Sequence, residues 1–271
     1  MNRVFITGAS SGIGAALARE YAAQGATLGL LARRRDALVA LAASLPNAGS
    51  HEVYAVDVLD HAALAAACAD FIACAGGADI VIASAGVSHG TLTEHAHDLA
   101  MFETIFATNV GATVATFAPF IAHMKLQAAE RARSAPARAP TLVGIASVAG
   151  IRGLPGAGAY SASKAAVLSY CESLRVEMKP HGIRVVTLAP GYIDTPMTHG
   201  NPYPMPFLMP AGRFARKATA AIAAGASYRV IPWQMGIVAK LLRVLPNGVY
   251  DLAIAGARRK PRKADQPELV P

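Results

Sequence analysis

The stretch from Arg3 to Arg34, RVFITGASSGIGAALAREYAAQGATLGLLARR, constrains the fold more than any other part of the chain. A short apolar run meets a Gly/Ser turn, an alanine-rich amphipathic segment follows, and a second apolar run closes the unit. That order reads as strand, turn, helix, strand. Gly8, Gly12 and Gly14 fall between the first strand and the first helix. Glycines there permit a tight turn and let backbone N–H groups approach a pyrophosphate at the helix N-terminus.

The alternation continues. HEVYAVDV, DIVIASAG, TLVGIAS and IRVVTLAP read as further strands, separated by helices expected near 62–75, 99–126 and 160–179. Strands alternating with helices predict an α/β fold, a doubly wound parallel sheet with helices on both faces. The 271 residues suit one such domain, expected over 1–256 and followed by a basic, disordered tail at 257–271. The mean hydropathy of +0.36 is high, but alanine, a strong helix former, supplies much of it.

The opening MNRVFITG reaches polar turn residues before any apolar run of signal-peptide length, so a cytoplasmic location is expected. Cys68, Cys74 and Cys171 are odd in number and lack ligand spacing. Buried reduced thiols are therefore expected, and no metal site. The net charge of +8 is uneven: Arg258, Arg259, Lys260, Arg262 and Lys263 face only Asp265 and Glu268 in the tail. A solvated end is the reading preferred there over a contact with nucleic acid or anionic lipid. Residues 125–140, polar and basic with Pro and Ala, read as a helix end running into an exposed loop. Prolines at 196, 202, 204, 206 and 210 punctuate a segment carrying Met197, Met205, Phe207, Leu208 and Met209, which suggests a substrate lid over about 194–215.

Cofactor preference is read at the end of the second strand. An acid there suits the ribose 2′-OH of NAD, whereas a 2′-phosphate needs a cation. The chain offers LLARRR, with Arg33 the first choice and Arg34 the second, so NADP(H) is preferred over NAD(H). Further along, Tyr160 and Lys164 in YSASK stand four apart, which on a helix places them on one face.

Taken together, TGASSGIG, the DV at Asp57 and Val58, the SAG of Ser84, Ala85 and Gly86, Asn109, Ser147, YSASK and PGYIDT resemble the short-chain dehydrogenase/reductase family. The likeness runs from about residue 4 to residue 195. It implies a single Rossmann domain, NAD(P)(H) chemistry on a small-molecule carbonyl or alcohol, and assembly as a homodimer or homotetramer. By the same resemblance Tyr160 is the general acid or base, Lys164 lowers the phenol pKa, Ser147 hydrogen-bonds the substrate oxygen, and Asn109 holds a water linked to the lysine. Gly8, Ser10, Ser11, Gly12, Ile13 and Gly14 are matched to the phosphates. Asp57 and Val58 are matched to the adenine. Ser84, Ala85 and Gly86 line the cofactor, and Pro190, Gly191, Ile193 and Thr195 hold the carboxamide. Two departures stand out: ASAG replaces the family's usual asparagines, so their hydrogen bond comes from Ser84 or is lost, and the interval from Asn109 to Ser147 is about ten residues longer than is usual in the family.

Beyond the core, residues 232–245 would span about 21 Å as a helix, too short for a hydrocarbon core of about 30 Å. Trp233, Ile237, Leu241 and either Val244 or Leu245 can share one face opposite Gln234, Lys240 and Arg243. Such a helix can dock on the chain's own cleft, on a subunit partner, or peripherally at the inner face of a membrane. The C-terminal pattern also resembles bacterial members associated with capsule or other surface-polysaccharide synthesis. The enzyme reading competes with a non-catalytic NADP(H)-binding sensor or scaffold and with a sugar-nucleotide-modifying enzyme. No nucleic-acid role is expected.

Overall fold

The computed structural model describes residues 2–134 and 138–262, with the side chain of Ser134 excepted. In chain order the elements are β1 Arg3–Thr7, α1 Gly12–Ala23, β2 Thr27–Ala32, α2 Arg35–Ser44, β3 Glu52–Ala55, α3 His61–Ala75 and β4 Ile80–Ala83. There follow α4 Asp98–Phe106, α5 Ala112–Ser134, β5 Thr141–Ile145, α6 Gly158–Met178, β6 Arg184–Pro190, β7 Ile193–Asp194 and α7 Pro196–His199. The last are β8 Met209–Pro210, α8 Ala211–Ala223, β9 Tyr228–Ile231, α9 Trp233–Val244 and α10 Asn247–Ile254. Seven strands form one sheet in the order β3-β2-β1-β4-β5-β6-β9, and every neighbouring pair is parallel. The order reverses between β1 and β4, where a crevice opens at the carboxyl ends of the strands.

Two apolar layers cover the sheet, as expected for strands whose sequences are continuous apolar runs. On one side Leu17, Ala18 and Tyr21 of α1 and Phe214, Ala218 and Ile222 of α8 pack over Val4, Leu28 and Val186. On the other, Phe71, Phe117, Phe120 and Val167 pack against Phe5, Val81 and Leu142. Phe5 is the hub of that layer, with ring centroids of Phe71 and Phe120 at 5.4 and 5.0 Å. The helical stretch 98–133 is long and apolar enough to cross a membrane, yet it lays Phe117, Phe120 and Met124 on the sheet.

Several sequence expectations change. The helix expected to end near 126 runs on to Ser134, so most of the segment read as a loop is helical. Its Ala, Gln, Glu and Arg residues favour helix, and Gln127 and Arg131 bind Asp79 from it. Residues 135–137 lie outside the described residues. Cys68 and Cys171 are buried as expected, but Cys74 is exposed. The lid segment is shorter than expected, because α8 begins at Ala211 and buries Phe214 and Ala215.

Of the three dockings expected for the amphipathic face of α9, the one on the chain's own cleft is not what the fold shows. The helix packs through Met235, Gly236 and Ala239: Gly236 lies close against Val230, and Gly191 leaves the space that Met235 fills. Trp233 (64% exposed), Ile237, Leu241 and Val244 face outward, away from the chain's own cleft.

The tail expectation also changes. Residues 257–262 are not a free end. Arg262 makes a two-armed ion pair with Asp98, Lys260 donates to Ser88 at 2.9 Å, and Arg258 donates to the Pro202 carbonyl at 3.1 Å. Gly90 also donates its N–H to Pro261. Composition suggested solvation, but Asp98 and Ser88 supply specific partners that local sequence does not show. Residues 263–271 lie outside the described residues.

Candidate active site

A cleft of about 380 Å³ opens at the β1/β4 reversal. Its floor is the glycine turn. Gly8 has φ +70°, a conformation that favours glycine, and a Cβ there would lie 2.8 Å from the Ala85 backbone. A Cβ at Gly14 would lie 2.2 Å from the Gly8 carbonyl oxygen. The turn and helix start are thus packed backbone to backbone, leaving Ser10, Ser11, Gly12 and Ile13 along the cleft wall. Thr7 links this floor to the next strand: its hydroxyl accepts from the N–H groups of Ser84 (3.2 Å) and Ala85 (3.4 Å). Ser84 thus joins this floor through its backbone N–H.

At one end of the cleft Arg33, Arg34, Asp57 and Val58 come together. Arg33 lies 4.0 Å from the Asp57 carboxylate, an open pairing between exposed side chains, and Arg34 donates to Ser10 at 3.2 Å. Asp57 also accepts from the Leu59 N–H, so its position is fixed by its own turn. Both guanidiniums remain available to an anion at the cleft mouth.

At the other end stand Ser147, Tyr160 and Lys164, with Pro190, Gly191, Ile193 and Thr195 opposite. Ser147 caps the short turn Val148–Gly150 and accepts from the Ala149 N–H at 3.2 Å, which leaves its hydroxyl proton free to donate. Burial raises the Tyr160 pKa, while a hydrogen bond from Ser147 opposes the rise. The expected lowering by Lys164 is not what dominates: desolvation of the half-buried phenol outweighs an ammonium 5.8 Å from the ring centroid. Tyr160 is consequently a neutral proton donor at neutral pH. Lys164 donates to the Ile145 carbonyl at 2.8 Å, and burial brings its own pKa down to about 8.

Asn109 is the one expected site residue that does not line the cleft. It is wholly buried in a π-helical turn, Ala107–Gly111, where the extra residue per turn re-aims its amide. Its Oδ1 accepts from the Val87 N–H at 2.9 Å, and its Nδ2 donates to Ser163 at 2.9 Å. A Cβ at Gly86 would lie 3.1 Å from Asn109 Oδ1 and 3.6 Å from Lys164 Nζ, so only that glycine separates the two polar groups.

A sequence model of the family described as short chain dehydrogenase matches residues 2–203. The chain belongs to this family. An uncharacterised oxidoreductase from Myxococcus xanthus is 36% identical over 255 residues, 94% of this chain and 95% of the relative. Among solved structures, a 3-ketoacyl-(acyl-carrier-protein) reductase from Brucella melitensis complexed with NADH superposes with a TM-score of 0.76 at 25% identity, covering 85% of this chain and 96% of the other. A short chain dehydrogenase from Burkholderia cenocepacia in complex with NADP superposes with a TM-score of 0.76 at 22% identity, covering 93% and 97%. Short-chain dehydrogenases use a nicotinamide cofactor, and the glycine cradle with its crowded backbone and adjacent arginines fits one.

In this short-chain dehydrogenase C-terminal residues tie down loops near the cleft in a way the motifs did not reveal. Arg152, after the Ser147 turn, donates to the carbonyls of Leu242, Arg243 and Leu245 and to Asn247. It thus satisfies the open end of α9 and ties that helix to the loop before Tyr160. The Arg152 guanidinium also stacks 4.1 Å from the Tyr250 ring centroid, and the Tyr250 hydroxyl donates to Gly153. Residues 258–262 then cross from Pro202 to Ser88 and Asp98. Lys260 is mostly buried with a pKa down to about 8 by desolvation, and makes no ion pair among the described residues. Tyr192 and Tyr203 meet at 6.3 Å between ring centroids, and Tyr203 lies within electrostatic reach of Tyr160.

Proposed function

We propose that the protein is an NADPH-dependent oxidoreductase that moves a hydride between nicotinamide and a carbonyl or secondary alcohol. The observation that carries this reading is the half-buried, neutral Tyr160 phenol beside Ser147 and Lys164, in the same cleft as the glycine cradle. The cofactor, when bound, supplies or accepts the hydride. Ser147 donates to the substrate oxygen and stabilises its developing charge. Tyr160 gives that oxygen its proton in reduction and takes it back in oxidation. Lys164 stabilises the phenolate left behind, and Asn109, on the far side of Gly86, holds the surrounding backbone and a water for proton replacement.

Arg33 and Arg34 support the preference for NADPH, because guanidinium pairs well with phosphate oxygens. Arg33→Ala is expected to weaken NADPH about tenfold and leave NADH nearly unchanged, the size of one exposed charge-assisted contact. Side-by-side titrations followed by Trp233 fluorescence or thermal stability measure this. Equal losses for both cofactors would reject the 2′-phosphate assignment. If neither cofactor binds the parent protein, the enzyme reading itself fails.

The pH profile offers a further check. With Tyr160 raised and Lys164 at about 8, carbonyl reduction should be flat below about pH 8 and fall above it as the ammonium discharges. A rate that climbs through that range would remove Lys164 from the mechanism.

Assembly as a homodimer or homotetramer, a cytoplasmic location and peripheral contact with a membrane's inner face belong to the same proposal. The outward Trp233, Ile237, Leu241 and Val244 stripe is the feature that supports such contacts. Sedimentation with and without anionic vesicles separates subunit pairing from membrane binding. A role in capsule or surface-polysaccharide synthesis rests on the C-terminal likeness, and a sugar-derived ketone in the substrate screen probes it.

A further inference from the structure

A second cavity, of about 320 Å³, lies at the opposite edge of the sheet from the cleft. It opens where strands begin: Arg3 starts β1, Asp79 precedes β4, Thr141 starts β5 and Arg184 starts β6. Four arginines line it, Arg3, Arg131, Arg138 and Arg184, against a single acid, Asp79.

That acid is already used. Asp79 accepts from Arg3 Nη2 at 2.9 Å and Nε at 3.0 Å, from Gln127 at 3.0 Å, and from Arg131. These contacts hold its carboxyl down at about 2 despite burial. Arg138 and Arg184 make no ion pair among the described residues. Two donors are left without any partner: the Tyr21 hydroxyl, on a residue only 2% exposed, and Arg184 Nε. Burial raises the Tyr21 pKa, so it remains a neutral donor, and Arg138 lies close enough to oppose that rise. Glu20, the neighbouring acid, binds Gln24 at 3.0 Å and is not among the residues lining the cavity.

A buried hydroxyl and a buried guanidinium N–H without acceptors each carry an uncompensated desolvation cost. Both are donors, and both sit among unpaired cations. The missing complement is an acceptor-only group of negative charge. Phosphate oxygens meet that description and match guanidinium geometry. The volume stands at the low end of small-molecule pockets, which run about 300–1,000 Å³.

We propose that this cavity is an anion site for a phosphate group, bound by Arg138, Arg184 and Tyr21. It is separate from the cofactor cleft, and it adjoins the first residues of strands whose far ends carry Thr7, Ser84 and Pro190. The assignment does not depend on the proposed reductase activity.

The test is calorimetric titration of the full chain with inorganic phosphate, and separately with phenyl phosphate, at ionic strength held constant with chloride. Saturable binding is expected, weakened at least about tenfold by Arg184→Gln and by Tyr21→Phe. The second variant removes one oxygen and keeps the ring, so the fold survives if the first fails to fold. Arg33→Ala combined with Arg34→Ala should leave the binding intact. Tighter phenyl phosphate would point to a phosphorylated organic ligand, and equal affinities to free phosphate; both support the site. Loss of binding in the Arg33/Arg34 variant with retention in Tyr21→Phe would place the phosphate in the cofactor cleft and overturn the proposal. So would the absence of saturable heat in the parent protein.

Discussion

Replacing Tyr160 with Phe is expected to lower turnover by about 10²–10⁴-fold, the range associated with one general acid, while cofactor affinity stays within about twofold. The ring stays in the cleft wall and the substitution removes only the hydroxyl, so neither packing nor the cradle is disturbed. The split between turnover and binding identifies the role, because a residue that merely shaped the cleft would change both. Comparing single-turnover hydride transfer with cofactor titration on the same preparation makes the measurement. Activity within tenfold of the parent would transfer the proton-donor role to another group, with Ser147 the first to examine.

Gly14→Ala should have the second largest effect, on stability and cofactor binding together. The added Cβ would lie 2.2 Å from the Gly8 oxygen and 2.8 Å from its carbonyl carbon. Both are backbone atoms, so no side chain can swing aside. Either α1 withdraws from the turn or the turn opens. Overpacking of this kind costs about 1–3 kcal/mol, which corresponds to a fall in Tm of roughly 3–10 °C for a chain of this size. Because the displaced turn is the cradle itself, cofactor affinity should fall at least about tenfold. Thermal denaturation with and without NADPH checks both, and an unchanged melting temperature would mean that the turn yields more readily than its contacts imply. Gly12→Ala is the useful contrast: its Cβ would meet only the Thr195 side chain at 3.4 Å, although φ of +55° still carries strain there.

The parallel sheet and the cleft were legible because their signals are local. Glycines sit between a strand and a helix, apolar runs alternate with amphipathic ones, and Tyr160 and Lys164 are one helical turn apart. The sites of correction have another character. The pairings Lys260–Ser88 and Arg262–Asp98 join residues 172 and 164 positions apart, and neither end carries a pattern of its own. Asn109 could be placed in a helix from its surroundings, but the π turn depends on Val87 and Ser163 reaching its amide from other elements. The α9 stripe was visible as amphipathic, and its direction was not: the packed face is the one on which Gly236 meets Val230 and Met235 fills the space beside Gly191. Tyr160 shows the same limit in chemistry. Its partner lysine is readable at four residues' distance, whereas the burial that outweighs it is a property of the finished fold.

The strap at 258–262 also bears on the order in which the enzyme assembles. Its contacts, 172 and 164 positions apart, close long loops, and such closure costs more entropy than forming neighbouring βα units. The glycine cradle needs only β1, α1, β2 and β4, all complete by residue 83. On refolding, dinucleotide binding should therefore return before turnover does, and the amides of Gly90 and Thr91 should gain protection from exchange among the last. The substrate end of the cleft is then the late-maturing half of the molecule, joined by its chain end to a cofactor half that is already built.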